Sequence, residues 1–307
     1  MINLEYVDLK LLRSFVAVVE SGGLTAAANE QGVDLSTISN RLTALENRLG
    51  IRLCERGPSG FRLNEAGTEV LSAVQRLFSA ISEFQAAAGS LKEEVSGELA
   101  IGVVDGFVTA PGFALHDAIR RFERRGGDAQ FKLVVGAPQD LIQSVRDGRL
   151  HMAITGVLNE HLRGLSYKKL TFENFFCYCG TRHPLFRTAS EEINVESIYR
   201  YRLISPSYWD PPKLDTSKFK YFATVSYLET QLMFLLSGNY LGYLPSHFAA
   251  PRVEAGDLRV LLPERLNSSG SIYLIQRRGI PRTRTIAAAE QDILSAFLDR
   301  SNAQDPE

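Results

Sequence analysis

Short hydrogen-bonding side chains are concentrated on one side of a helix that the sequence predicts over residues 35–49. Apolar residues recur there at intervals of three or four, which predicts one buried stripe. The stripe consists of Leu35, Ile38, Leu42, Leu45 and Leu49. Hydroxyl and amide groups lie opposite or beside it, and groups of this size can enter the major groove of DNA and bind base edges. The candidate base-reading residues are Ser36, Thr37, Ser39, Asn40, Arg41 and Thr43.

The sequence just before this helix predicts a second helix followed by a tight break. Residues 26–28 are all alanine, and methyl-sized side chains let a neighbouring helix approach closely. Gly32-Val33 interrupts the pattern, and Asp34 is a suitable N-cap for the helix that follows. Thr25 is a further candidate for DNA contact. An ordinary amphipathic helical hairpin has the same spacing, so spacing alone leaves this alternative open.

Positive charge is local in the N-terminal part of the chain. Residues 1–67 contain seven Lys and Arg against eight carboxylates, whereas residues 41–62 contain five Arg against two Glu. Arg56 and Arg62 flank a predicted tight turn at 57–60, which can bring an Arg to a phosphate or to the minor groove. Solvated surface arginines are the open alternative. Weak net charge implies that DNA affinity comes from oligomers and specific contacts.

The apolar residues of the next predicted helix keep a heptad spacing. Steps of four and three alternate, which predicts a seam for a partner helix. A helix packed on its own domain would show a broader, drifting stripe, and this is the alternative. The predicted dimerisation residues are Val70, Val74, Leu77, Ile81, Phe84 and Leu91, with Ala88 in the same register. A break at Ser96-Gly97 ends the segment.

These segments together resemble the winged helix-turn-helix and linker helix of LysR-type transcriptional regulators. The matching segments are Asp8–Ser21 (first helix), Thr25–Ala28 (second helix), Ser39–Gly50 (recognition helix with its Leu-Glu-x-x-Leu-Gly ending), and Arg52–Arg56 with Arg62–Gly67 (wing and exit). The buried face expected for the first helix is Leu12, Phe15, Val16 and Val19. The resemblance implies a regulator that binds double-stranded DNA, dimerises through the linker helix and forms homotetramers. RNA polymerase is a further implied partner.

Two residues depart from the family pattern on or near the reading surface. Asn40 occupies a position that is usually Arg, and Arg41 comes one step later. Leu35 occupies a position that is commonly Gln. Asn can form paired hydrogen bonds to N6 and N7 of adenine, whereas Arg prefers guanine. We therefore predict that Asn40 reads an A·T pair.

Beyond Gly97 the sequence predicts alternating strands and helices, which favours α/β units with parallel strands. Strands are predicted at 99–104, 131–135, 151–155, 175–179, 203–205, 222–225 and 272–276. Their order resembles the effector domain of the same family, a two-lobed fold similar to periplasmic solute-binding proteins, with a small ligand between the lobes. The landmarks are Gly148-Arg149-Leu150, His183-Pro184-Leu185 and Gly238–Pro245.

The expected fold class is therefore α/β, with an α-rich winged helix-turn-helix N-terminal domain and a two-lobed, periplasmic-binding-protein-like C-terminal effector domain. The expected boundaries are 1–66 for the DNA-binding domain, 67–96 for the linker helix and 97–307 for the effector domain. Lobe I is expected at about 97–171 and 272–303, and lobe II at about 172–271.

The resemblance gives partial information on the ligand. Family members that bind carboxylates often place hydroxyl residues after the first two strands of this domain. Gly106 and Ala137 hold those positions here, and the neighbouring Asp105 would oppose a bound carboxylate. We hypothesise a neutral, zwitterionic or amine-bearing effector; the alternative is that Asp105 only caps the next turn. The other candidate effector-binding residues are Thr109, Thr155, Ser205, Ser226 and Tyr227.

Other chemistry is less well supported by the sequence. Cys177 and Cys179 lie on one face of a predicted strand, and a role as small buried residues is favoured over a redox or soft-metal site. The histidines lack metal-ligand spacing, and His151 falls in a buried run, so no metal or cofactor is expected. Because phosphate-loop, nucleophile-elbow and paired-carboxylate motifs are missing from the sequence, an enzyme is not expected.

The sequence also bears on location. The chain has 307 residues, and it starts without the basic and apolar regions of a signal peptide. No apolar run is long enough for a membrane span, so a cytoplasmic protein without a membrane partner is expected. A cytoplasmic solute-binding module without a DNA-dependent role is the alternative function. It would explain the two lobes but leave Asp8–Leu91 without a purpose.

Overall fold

The computed structural model describes residues 6–57, 60–89, 97–156, 162–206, 214–279 and 282–304. The chain divides into two compact units, Met1–Phe84 and Gln85–Glu307. The division falls within the helix that was expected to link two domains, so most of this helix belongs to the first unit. The two units are described separately below.

The first unit begins with three helices. They are α1 (Tyr6–Glu20), α2 (Leu24–Gln31) and α3 (Leu35–Leu49). Helices α2 and α3 end at Gly32 and Gly50, whose φ angles are 62° and 70°. Other L residues rarely adopt such angles, so glycine fixes both helix ends. Asp34 occupies the predicted N-cap position of α3, and its backbone carbonyl accepts hydrogen bonds from the N–H groups of Thr37 and Ile38.

The predicted stripe of α3 forms the centre of the first unit's core. Ile38, Leu42 and Leu45 are almost completely buried, and Leu49 is partly buried. The prediction was wrong for Leu35, which is 49% exposed. This residue is the first of the helix, and helix side chains tilt toward the N-terminus. No earlier turn of α3 therefore continues the stripe to cover it.

The buried face of α1 is wider than the predicted one because α1 contacts both α2 and α3. Leu12 and Phe15 are buried as expected, and Leu11 and Val18 extend the face. Val16 and Val19, which were also predicted for this face, are only partly buried. The face therefore follows the groove between two neighbouring helices and not a single narrow stripe.

A β-hairpin follows α3. Strand β1 (Cys54–Gly57) pairs antiparallel with β2 (Gly60–Leu63). Gly57 lies opposite Gly60, so the connection is as short as the predicted tight turn, while residues 58–59 lie outside the described residues. Leu53 and Cys54 are buried in the same core as α3 and attach the hairpin to it.

Helix α4 (Glu65–Gly89) is the predicted linker helix. Val74 is only 4% exposed, and Val70 and Leu77 pack against the core of the first unit. These three residues pack on their own unit, as the alternative describes, and their part in a seam between subunits stays a prediction. The hydrophobic contacts of the winged helix-turn-helix therefore continue well into α4.

The later part of the predicted seam is more accessible. Phe84 is 74% exposed and Ile81 is partly buried. Leu91 lies outside the described residues. Among the α4 residues whose side chains are described, Phe84 is a large aromatic side chain that is accessible to a partner helix.

The second unit alternates strands and helices, as the sequence predicts. Its strands are β3 (Glu98–Val104), β4 (Gln130–Gly136), β5 (Met152–Gly156), β6 (Leu165–Gly180), β7 (Arg202–Pro206), β8 (Lys220–Val225), β9 (Tyr240–Pro245), β10 (Leu258–Leu261) and β11 (Asn267–Arg277). Its helices are α5 (Leu115–Glu123), α6 (Pro138–Asp147), α7 (Val195–Ile198), α8 (Leu228–Ser237), α9 (Ser246–Glu254) and α10 (Arg284–Gln304). The strand order is β4-β3-β5-β11-β6-β9-β7-β8, and β10 pairs with β6.

Two long antiparallel strands, β6 and β11, connect the halves of this unit. The beginning of β6 and the end of β11 join the sheet of β3, β4 and β5, which with α5, α6 and α10 forms lobe I. The end of β6 pairs with β9 and β10, which with β7, β8 and α7–α9 form lobe II. The sequence predicted only the 175–179 part of β6 and the 272–276 part of β11 as strands. Both strands are longer than predicted because each serves two lobes.

Each lobe has its own core. Ile101, Phe107 and Phe297 are buried in lobe I. In lobe II, Cys177 and Cys179 are buried on one face of β6, while Tyr178 is buried on the other. This alternation follows the two-residue period of a strand and confirms that both cysteines point to one side.

Candidate functional site

The predicted reading side of α3 is accessible. Ser36, Asn40 and Thr43 are exposed, and Thr37 and Ser39 are partly buried at the edges of this face. The Thr43 hydroxyl donates to the Ser39 backbone carbonyl at 2.9 Å, so its oxygen remains able to accept. The structure therefore places these side chains on one accessible side of the helix.

Leu35 extends this accessible surface, although the helical spacing predicted that it would be buried in the core. It lies one helical turn before Ser39 and is 49% exposed. An exposed apolar side chain next to polar ones suits contact with the methyl group of thymine. The signal that could have identified it is its place directly after the N-cap Asp34. Because helix side chains tilt toward the N-terminus, the side chain of the first helical residue extends beyond the turns that pack on the core.

Arg41 has a different environment from the other candidates on α3. Its Nη1 donates to Ser14 Oγ at 3.2 Å and to Gln31 Oε1 at 3.1 Å. The Ser14 hydroxyl also donates to Gln31 Oε1 at 3.3 Å. Because Ser14 lies on α1 and Gln31 on α2, Arg41 connects all three helices. The structure therefore supports a positioning role for this side chain.

Arg56 also forms bonds within the first unit. Its guanidinium forms an ion pair with Glu46, and its Nε donates to Cys54 Sγ at 3.3 Å. Its Nη1 lies 3.4 Å from Thr43 Oγ1. Glu46 Oε1 in turn accepts from the Leu53 N–H at 2.9 Å. These bonds hold the hairpin against the end of α3 and direct Arg56 toward the reading face.

The remaining DNA-contact candidates and Cys54 have clear environments. Thr25 is exposed at the start of α2, and Arg62 is exposed on β2. The Cys54 thiol is buried, and burial raises its pKa. A thiol of this kind stays protonated and acts as a small core residue.

A cavity of about 170 Å³ lies between the two lobes of the second unit. It is formed where β3, β5 and β7 end, beside the central parts of β6 and β11. Its lining residues among those described are Val104, Asp105, Pro138, Gly156, Glu173, Phe175, Pro206, Leu228, Tyr243, Pro245, Ser269, Gly270, Ser271 and Ile272. This volume is close to that of an apolar cavity that admits benzene. The cavity can therefore enclose a small organic molecule.

Asp105 is the predicted site residue that lines this cavity. It is 3% exposed, and its Oδ2 accepts a hydrogen bond from the Leu228 N–H at 2.6 Å. Burial raises the pKa of Asp105 to about 6, and the negative charges of Glu229 and Glu173 add to the shift. Asp105 lies on lobe I and Leu228 begins α8 on lobe II. The carboxylate therefore caps a helix of the opposite lobe and bridges the two lobes.

A second bridge between the lobes lies beside the first. Glu173 Oε1 is 2.7 Å from His247 Nε2, and His247 Nδ1 is 2.8 Å from Thr109 Oγ1. The Thr109 hydroxyl also bonds the Gly106 carbonyl, at 2.9 Å. Glu173 and the His247 side chain are almost completely buried. This chain of bonds connects the cavity wall to the turn that follows β3.

Most other predicted effector residues fall next to the wall. Ala137 and Ser205 are buried and precede the lining residues Pro138 and Pro206. Like Ala137 and Ser205, the remaining predicted effector residues are not among the described lining residues of the cavity. These are Gly106, Thr109, Thr155, Ser226 and Tyr227. The strand ends were predicted correctly to within one residue, but side chains alternate in direction along a strand. A shift of one residue therefore turns a side chain away from the cavity.

The long connecting strands contribute lining residues that the sequence patterns did not predict. Glu173 and Phe175 come from β6, Tyr243 from β9, and Ser269–Ile272 from β11. Glu173 was the detectable member of this group. It is a carboxylate between Phe172 and Phe175, just before the predicted strand at 175–179, and a charge that is buried there requires a partner.

The other residues singled out in the sequence have structural environments. Cys177 and Cys179 are buried; burial raises the pKa of both thiols, that of Cys179 to about 12. His151 Nδ1 accepts a hydrogen bond from the Ala100 N–H at 2.9 Å. His183 is buried, and burial lowers its pKa to about 4. Cys177 and Cys179 belong to the core of lobe II, whereas His151 is only partly buried, and none of these residues is among the described lining of the cavity.

A winged helix-turn-helix with an accessible third helix, joined to a two-lobed α/β unit with a cavity, defines a class of DNA-binding regulators that respond to small ligands. A sequence profile described as "Bacterial regulatory helix-turn-helix protein, lysR family" matches residues 9–68. A profile described as "LysR substrate binding domain" matches residues 92–297. The chain therefore belongs to the LysR family of transcriptional regulators. It is a DNA-binding, effector-responsive regulator and not an enzyme, and the alternative of a solute-binding module is not favoured.

Curated relatives are regulators of the same family. The HTH-type transcriptional activator BauR of Pseudomonas aeruginosa is 35% identical over 274 residues, which cover 89% of this chain and 90% of that protein. The SDS degradation transcriptional activation protein of a Pseudomonas species is 26% identical over 97% of this chain and 98% of its own length.

Solved structures of full-length regulators share the fold. CbnR, a LysR family transcriptional regulator, matches with a TM-score of 0.63 at 17% identity, over 94% of this chain and 99% of that chain. CbnR in complex with its target DNA matches with a TM-score of 0.61 at 17% identity and the same coverage. Full-length OxyR from Pseudomonas aeruginosa matches with a TM-score of 0.56 at 22% identity, over 93% and 94% of the two chains.

Within the described part of the chain, no single helix has the length and apolar character of a membrane span. Helices α1 and α2 reach the length and apolar character of a membrane span only when they are taken together, and the chain bends by 120° between them.

Proposed function

We propose that α3 enters the major groove of an operator and reads it with the face formed by Leu35, Ser36 and Asn40. The accessibility of this face, opposite a buried stripe, is the observation that carries the proposal. Arg41 supports it indirectly, because its bonds to α1 and α2 fix the orientation of α3. We further propose that Arg62, which is exposed on β2, contacts a phosphate or the minor groove beside the site read by α3.

The proposed role of Asn40 gives a specific expectation. The Asn40 side chain is exposed on the reading face, and an amide can bond N6 and N7 of one adenine. We expect Asn40 to select an A·T pair in each half-site. A good paired contact contributes about 1–3 kcal/mol of discrimination.

Binding of DNA duplexes from the intergenic region beside the protein's own gene tests this role. Each base pair of the bound site is substituted in turn, and affinity is measured for the wild type and for Asn40→Ala. We expect the variant to lose discrimination at one A·T pair per half-site. Asn239→Ala, at an exposed position of the second unit, is the matched control. A variant that weakens all duplexes equally contradicts the role of Asn40.

The cavity is proposed to hold the effector. Two contacts link the lobes beside it, Asp105 to Leu228 and Thr109 to His247. A ligand that changes these contacts binds one arrangement of the lobes more tightly than another. Because a ligand shifts an equilibrium only by such a difference in affinity, these contacts are the expected route from effector to DNA.

The proposed assembly is a homodimer through α4 and a tetramer through the second unit. The exposed Phe84 and the partly buried Ile81 support pairing through the later part of α4. Strand β4 lies at an edge of the sheet and exposes Leu133, Val134 and Val135. An exposed apolar edge strand is a surface that a second copy can cover. The proposed regulator acts on DNA in the cytoplasm, with RNA polymerase as a further proposed partner.

A further inference from the structure

The cavity between the lobes is poorly suited to an anion. Among the described lining residues, Asp105 and Glu173 supply carboxylates, while Lys, Arg and His are missing. Three further lining residues, Pro138, Pro206 and Pro245, have no backbone N–H to donate. Backbone N–H groups and basic side chains are the usual ligands of a carboxylate or phosphate. The wall therefore lacks the basic side chains that usually bind an anion, while its hydroxyl groups, from Tyr243, Ser269 and Ser271, can donate or accept.

The helix terminus that could bind an anion already holds a carboxylate of the chain. Asp105 Oδ2 accepts from the N–H of Leu228, the first residue of the ten-residue helix α8, at 2.6 Å. The N-terminus of a helix attracts negative charge. A ligand carboxylate would have to displace Asp105 to reach this position.

The other oxygen of the same carboxylate requires a donor. Asp105 Oδ1 is buried and has no hydrogen-bond partner among the described residues, although Asp105 lines the cavity. A buried polar atom without a partner is costly, and an ionised carboxylate can only accept. Glu173, the second carboxylate of the wall, is already paired with His247 at 2.7 Å, so Asp105 Oδ1 is the acceptor that a ligand would satisfy. The group that best complements this wall is a cation with N–H donors.

We propose that the effector carries a protonated amine, which donates to Asp105 Oδ1. This inference rests on the effector site proposed above and narrows its ligand to aliphatic ammonium compounds. The cavity volume of about 170 Å³ limits the ligand to a small molecule. Val104, Phe175 and Ile272 supply apolar walls for its carbon chain. The amine faces the carboxylates while the short chain packs on these walls.

Three probes of equal chain length test the proposal on the full-length protein. They are n-butylammonium chloride, 1-butanol and sodium butyrate, which carry a cationic, a neutral and an anionic head group. Binding is measured by calorimetry and by the shift in the thermal unfolding temperature. We expect n-butylammonium to bind and raise this temperature, and the other two to bind at least about tenfold more weakly. Butyrate or butanol binding as tightly as the amine overturns the proposal.

Two variants locate the head group. We expect Asp105→Asn to weaken n-butylammonium binding about 10- to 100-fold, and Glu173→Gln, whose carboxylate is paired with His247, to weaken it less. Both keep the shape of the side chain, and unfolding curves without a probe establish that they fold. Glu191→Gln removes a carboxylate from an exposed position and is the control with unchanged affinity. Unchanged affinity in folded Asp105→Asn contradicts the proposal.

A DNA-binding assay separates this inference from the proposed function. The same preparations are tested against the intergenic duplex. Intact DNA binding without an amine preference refutes the ligand class alone. An amine preference without DNA binding refutes the proposed reading face alone.

Discussion

Asp105→Asn should change how the stability of the protein depends on pH. Burial raises the pKa of Asp105 from 3.8 to about 6 in the folded protein. Because the folded pKa lies above the unfolded one, this group's contribution to stability is fully present below pH 3.8 and is lost as pH rises through about 6. A shift of this size corresponds to roughly 3 kcal/mol at neutral pH.

The asparagine variant does not titrate, so it removes this contribution. Between pH 4 and pH 7.5, the free energy of unfolding of the variant should rise relative to wild type, by up to roughly 3 kcal/mol. The amide oxygen of the substituted side chain can still accept from the Leu228 N–H, so the bridge between the lobes is kept. Urea unfolding of the second unit, followed at several pH values, measures the difference.

The control for this experiment is Glu191→Gln, which removes a carboxylate from an exposed position. Its difference from wild type should stay constant across the same pH range. A constant difference for Asp105→Asn as well would refute the reasoning, since Asp105 would then ionise equally in the folded and unfolded chains.

Two further predictions concern the first unit. Arg41→Ala removes the bonds to Ser14 and Gln31, so we expect a loss of about 1–3 kcal/mol in unfolding free energy and weaker binding to all duplexes alike. A loss of discrimination at one base pair, without a loss of stability, would instead make Arg41 a reading residue. Phe84→Ser should raise the dimer dissociation constant at least about tenfold in sedimentation experiments while unfolding of the first unit is unchanged. Leu298→Ser, at an exposed position of α10, is its control, and an undiminished dimer would exclude Phe84 from the interface.

The sequence predicted the recognition helix well because a helical period records which side is buried. Ile38, Leu42 and Leu45 fill the core as the spacing requires, and Ser36 and Asn40 are exposed opposite them. The spacing of the apolar stripe did not show at which residue its burial begins, so Leu35 was wrongly predicted to be buried. Nor could it show that Arg41 bonds α1 and α2, because that depends on Ser14 and Gln31 coming close in three dimensions.

The cavity was harder to predict than the helix. Asp105 was found because it ends a strand, and strand ends converge at the cleft of this fold. Glu173 and Ser269–Ile272 were missed because they lie inside β6 and β11, which pass from one lobe to the other. Local patterns identify the ends of strands, whereas the pairing of two distant strands is a property of the folded chain.

The heptad spacing of α4 was informative but ambiguous. The spacing of Val70, Val74 and Leu77 fits a dimer seam as well as it fits packing within the first unit, where the structure places them in one core; the seam stays a prediction. Both arrangements bury one stripe of a helix, so periodicity cannot distinguish them over two or three turns. Phe84 differs from these three residues because its side chain is exposed, so burying it would require a helix of a second subunit.

The most direct measurement of the central claim is a site-specific crosslink from α3 to a DNA base. Asn40→Cys is labelled with a short photoreactive reagent, bound to the intergenic duplex and irradiated; the native cysteines, Cys54, Cys177 and Cys179, are all buried. If α3 lies in the major groove, we expect crosslinks from Asn40→Cys to bases of each half-site, and none from Asn239→Cys labelled in the same way. Bound DNA that crosslinks equally from both positions, or only from position 239, would contradict it.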